Sequence, residues 1–88
     1  MASVWIPVTM QSLTRGAAVV HASGRTVREV ITNLDADYPG LKAALLADGE
    51  KLRPGVAVAV DGFVSPVGLY QKVGEGSELQ FIPAIGGG

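Results

Sequence analysis

The chain opens on a period of two. Val4, Ile6, Val8 and Met10 alternate with Trp5, Pro7 and Thr9, a pattern that predicts a half-buried strand over 4–10. Pro7 has no N–H, so it suits an edge or a side of the strand that needs no donor. "QSLTRG" carries turn chemistry, with Gly16 supplying backbone freedom. "AAVVHA" then reads as a second strand, the hairpin partner of the first. The period now changes to that of a helix. Val27, Val30, Ile31, Leu34 and Tyr38 share one face, Thr26 and Glu29 have capping-box spacing, and Pro39-Gly40 stops the run, which predicts a helix over Thr26–Tyr38. "LKAALLADG" offers one or two more helical turns, ended by Gly49. Val56, Val58 and Val60 restore the period of two, alternating with Ala57 and Ala59. Asp61-Gly62 is a tight-turn signal, so Phe63-Val64 starts a short return strand. A turn at Gly74–Ser77 leads to a last strand at about Leu79–Pro83.

A hairpin, a helix that crosses one sheet face, and a last long strand beside the first in parallel make an α+β, β-grasp architecture. The expectation is a mixed sheet of about four to five strands with one main helix packed on one face. Val4, Ile6, Leu79 and Phe81 form the inward set. Trp5, Pro7, Phe63, Ile82 and Ile85 are also apolar, and several fall opposite it. They are the candidate docking surface for a partner. Residues 1–85 are expected to form the domain and 86–88 a flexible glycine tail.

Composition narrows the function. With 88 residues, 48% hydrophobic and 17% charged, the chain has the makeup of one globular domain. A net charge of −1 and seven scattered basic residues supply no field for nucleic acid or an anionic membrane. There is no cysteine, hence no thiolate nucleophile, disulfide or cysteine metal site, and the single His21 cannot build a metal cluster alone. The serines have no histidine–acid framework. Asp35 and Asp37 read as a solvated helix end, and "GEGSE" as a turn, because it does not open a helix. No secretory leader and no membrane-length apolar run is visible, so the expected location is cytoplasmic.

The ending "FIPAIGGG" stands out. At an average usage of about 7%, three successive glycines at a given place arise about once in 3,000. Together with "VAVDGFVSPVGLYQKVGEGSELQ", this ending resembles the ThiS/MoaD family of ubiquitin-like sulfur carriers, β-grasp proteins that end in Gly-Gly. The early "VWIPVTMQSLTRGAAVVHASGRTVREVI" resembles the branch that serves cysteine biosynthesis. The sequence departs mildly from the family pattern: "GEGSE" replaces the commoner turn, and Gly86 stands where a small residue such as alanine is usual.

The resemblance implies a protein co-substrate and not an enzyme. The Gly88 carboxylate would be adenylated by an E1-like partner using ATP, and sulfur would displace AMP to leave a thiocarboxylate. The chain would bind no cofactor or metal itself. An acceptor enzyme of cysteine-synthase type, or the large subunit of a molybdopterin synthase, would receive the sulfur. Gly86 and Gly87 would let the backbone enter a narrow channel where a Cβ would obstruct. Two alternatives stay open at this point. One is a ubiquitin-like modifier joined through Gly88 to lysines; the other is a binding subunit with a passive tail.

Overall fold

The architecture was determined from a computed structural model that describes residues 1–83. The sequence-predicted tail, Gly86, Gly87 and Gly88, and the docking candidate Ile85 lie outside the described residues.

Thr26 shows how the sequence sets the fold locally. Its backbone is extended, its hydroxyl accepts from the N–H of Glu29 at 3.2 Å, and helix α1 runs from there over Val27–Asp37. Glu29 returns a bond to the backbone N–H of Arg25 at 3.0 Å, a reciprocal cap shifted by one residue from the usual box. Val27, Val30, Ile31 and Leu34 are wholly buried. A short helix α2, Leu41–Leu45, follows the turn at Gly40 and adds Leu41 and Leu45 to the same core. Asp35 does more than solvate a helix end: its carboxylate accepts from the N–H groups of Gly40 and Lys42, fixing the turn between the helices.

Those helices cover one face of a five-stranded sheet. Its strands are β1 Ala2–Trp5, β2 Val19–Ala22, β5 Val56–Val60, β6 Phe63–Val64 and β7 Glu78–Pro83, in the order β2-β1-β7-β5-β6. The first and last strands are neighbours and parallel, Val4 facing Leu79, while the other pairs are antiparallel. Val4, Ile6, Val58, Leu79 and Phe81 meet the helix in one core. This is the expected mixed sheet with a helix on one face. Between the helices and β5 lies a two-stranded hairpin, β3 Leu46–Ala47 and β4 Lys51–Leu52. The sequence reading had Gly49 only as a helix stop.

The first strand is shorter than the alternation suggests. It ends at Trp5, and a 3-10 helix occupies Val8–Thr14, so the predicted turn is helical in part. Val8 is 82% exposed although the alternation placed it inward. Pro7 cannot donate to a ladder, and its carbonyl accepts from the N–H of Met10, turning the chain away. Thr14, buried, satisfies its hydroxyl on the carbonyls of Gln11 and Ala17.

Candidate functional site

Strand β7 leads toward the glycines, and three contacts set its start. The Asp61 carboxylate accepts from the N–H of Glu78 at 2.9 Å and from the hydroxyl of Ser77 at 3.0 Å. The backbone N–H of Asp61 in turn donates to the Glu78 carbonyl. Asp61 can do this because it and Gly62 both take positive φ, 53° and 89°, the geometry of a type I′ hairpin turn. Ser77, only 6% exposed, also accepts from Gly74 N–H and so closes the Gly74–Ser77 turn. The sequence marked Asp61 as a turn residue; nothing local revealed that its carboxylate pins the start of a strand 17 residues on.

From that anchored start β7 runs through the middle of the sheet. The helix-side row is Leu79 and Phe81. The other face has no element packed on it among the described residues, and the ladder register defines its rows. One row crosses all five strands: Val19, Trp5, Gln80, Ala59 and Val64. Ile82 and Ala57 form the next row, toward the end of β7. Trp5 is 43% exposed and Ile82 40%. Pro7, half-buried, lies two residues past the end of β1. Trp5 and Ile82 thus share the open face in neighbouring rows near the end of β7, and Pro7 lies in the segment that leaves β1 there.

Phe63 is placed elsewhere. It pairs with Val60, which pairs with Leu79, so the register puts it in the helix-side row near the start of β7. Leu79 to Pro83 is four steps, or about 13 Å of strand. Phe63 is 79% exposed and lines a shallow cleft with Asp61, Val64, Gln71, Lys72 and Ser77. The open face instead gains Val19, Val64 and Gln80. Their parity signals it: Gln80 sits between inward Leu79 and Phe81, and Val64 follows Phe63.

His21 and Glu78 flank Ser3 on the open face, one row farther from the end of β7 than Trp5, and their side chains are exposed. Among the described residues no group of His, Cys, Asp or Glu could hold a metal ion, and no helix is long and apolar enough to cross a membrane.

A central strand flanked by a parallel first strand and an antiparallel return, with one helix across the inner face, defines a ubiquitin-like β-grasp protein. The chain belongs to the ThiS family, which it matches over residues 4–88, the glycines included. It is 31% identical to the sulfur carrier protein CysO of Mycobacterium tuberculosis strain H37Rv, across 98% of this chain and 97% of that protein. In structure it superposes on the CysO of an Amycolatopsis orientalis BexX/CysO complex with a TM-score of 0.91 and 33% identity, all of both chains covered. The crystal structure of M. tuberculosis CysO gives 0.90 and 29%, covering 97% of this chain and 100% of that one. The small archaeal modifier protein 1 of Methanosarcina acetivorans, at 21% identity and a TM-score of 0.77 over 99% of this chain and 95% of that one, shares the fold.

Proposed function

We propose that this chain is a sulfur carrier of the cysteine-biosynthetic type whose working group is the Gly88 carboxylate. One observation carries the reading: the family match extends through the glycines, and the strand that leads to them is the central, anchored one. Likeness to the CysO carriers over nearly the whole chain supports the cysteine branch over the molybdopterin branch. The domain spans 1–85 and the tail 86–88.

A carboxylate is a poor electrophile at neutral pH. An E1-like partner supplies ATP; the Gly88 carboxylate attacks the α-phosphorus and pyrophosphate leaves. A sulfur nucleophile then adds to the acyl-adenylate carbonyl and AMP departs, leaving a thiocarboxylate. The acceptor enzyme takes the sulfur from it. The chain supplies no catalytic group; it presents the carbonyl. This reading places it in the cytoplasm with its partners. The open face at the end of β7, with Trp5, Pro7 and Ile82, docks the adenylating partner. That contact offsets the cost of ordering the tail, about 1–2 kcal/mol per residue.

Intact-protein mass spectrometry after incubation with the adenylating enzyme, ATP and a sulfur donor tests this. Loading exchanges one terminal oxygen for sulfur. Removing Gly88 retracts the carboxylate by about 3.3–3.6 Å, more than a reacting pair held at about 3–3.5 Å tolerates. Loading is expected to vanish while thermal stability stays the same. Equal loading of the truncated chain, or an isopeptide bond to lysine in place of the thiocarboxylate, would refute the carrier reading.

A further inference from the structure

We propose that Gln80 sets partner specificity on the open face: whatever covers it must offer the Gln80 amide a hydrogen-bonding group. This rests on the reading that the open face docks the adenylating partner. In the row that crosses all five strands, four members are apolar, Val19, Trp5, Ala59 and Val64, and Gln80 is the polar one at the centre. Its ladder neighbours are Trp5 on one side and Ala59, 3% exposed, on the other. Gln80 itself is exposed and takes no part in the side-chain hydrogen bonds among the described residues. Among the described residues no protein group satisfies its carbonyl acceptor and amide donors, which leaves them to solvent on this face.

Docking strips that water. A partner that is apolar throughout would leave the amide buried and unpaired, whereas one with a peptide group or an Asn or Gln side chain at that point restores the bonds. A neutral amide does this without burying a charge. The difference between those two kinds of partner is roughly 5- to 150-fold in affinity. The apolar flanks, Trp5 and Ile82, supply attraction that many apolar surfaces could satisfy; Gln80 discriminates among them. It lies three residues, about 10 Å of strand, before Pro83, so it acts on docking and not on the reacting carboxylate.

The sign of one substitution tests this. Gln80→Leu keeps much of the bulk and removes the amide. Calorimetry with the adenylating enzyme that loads the wild-type chain should show Kd raised about tenfold, because the enzyme's own polar group is left unpaired. KM for loading should rise with it and kcat stay constant, with an unchanged melting temperature. Unchanged or tighter binding of Gln80→Leu would overturn the proposal, since an apolar partner surface gains when the amide is removed. Trp5→Ala in parallel separates the two readings. If Trp5→Ala weakens binding and Gln80→Leu does not, only the Gln80 inference fails; if neither weakens it, the docking face fails as well.

Discussion

Gly24 joins β2 to the cap of α1, and an added methyl there has nowhere to go. A Cβ built on its backbone would lie 2.7 Å from Cγ2 of Val30, 2.7 Å from the Val30 nitrogen and 3.1 Å from the Glu29 carbonyl carbon. Ordinary carbon contacts are about 3.5–4.0 Å, so the overlap is close to 1 Å on two sides. Neither neighbour can yield cheaply. Val30 is wholly buried, and its N–H donates to the Thr26 carbonyl. Withdrawing the loop instead strains the bonds from Asn33 Nδ2 to the Ser23 carbonyl and from Glu29 N–H to Thr26 Oγ1. The backbone at Gly24 also holds φ at 155°, which L side chains seldom adopt. Overpacking and backbone strain together put Gly24→Ala at about 2–4 kcal/mol of lost stability. For a domain of this size that lowers the melting temperature by roughly 10–25 °C. Urea titration should show a lower midpoint with the same slope, since the unfolded chain hardly changes. A loss below about 0.5 kcal/mol, the range of harmless surface changes, would refute the steric argument.

Ile31→Ala empties a wholly buried site between α1 and the sheet and should cost about 2–5 kcal/mol by denaturant unfolding; a cost below about 0.5 kcal/mol would mean that the core does not depend on it. Ile82→Asp should weaken the complex with the adenylating partner at least about tenfold, because a charge would be buried against an apolar contact. Phe63→Asp, which alters the opposite end of the sheet and the helix-side row, should leave that affinity within about twofold. Equal effects at the two positions, measured by calorimetry, would mean that the interface also reaches the Phe63 cleft.

The elements with a long uniform period were legible: the helix at Val27–Asp37, the alternating Val56–Val60, and the last strand. Where the sequence misled, a period outlived its structure. Val4, Ile6, Val8 and Met10 keep perfect alternation, yet backbone pairing stops before Pro7, and hydrophobic spacing carries no information on that. The β3–β4 hairpin was illegible because two-residue strands are too short to show a period. Its turn nonetheless carried the signal used elsewhere: Asp48 and Gly49 both have positive φ, 57° and 71°, as Asp61 and Gly62 do. Phe63 was grouped with Trp5 and Ile82 because all three are apolar and several of that set fall opposite the inward residues. The register, Phe63 with Val60 and Ala59 with Gln80, separates the two faces, in agreement with the parity of Val64 and Gln80. The glycines at 86–88 lie outside the described residues, and for them only the family match, which runs to residue 88, adds to the sequence.

The strand pairing explains how one small domain can be rigid and still offer its end to another protein. Leu79 and Gln80 are paired on both sides, to β1 and to β5. Phe81, Ile82 and Pro83 are paired to β5, while β1 has already ended at Trp5. The change falls where Pro7 turns the chain into the 3-10 helix, so one proline both ends β1 and leaves the last residues of β7 supported on a single flank. Had β1 continued to Met10, as its alternation suggests, it would run alongside β7 past Pro83 and line the approach to the tail. The early end of β1 instead places Trp5 and Ile82 at the rim of the open face. A partner can therefore engage the side of the strand that leads to Gly88 without displacing any strand of the sheet.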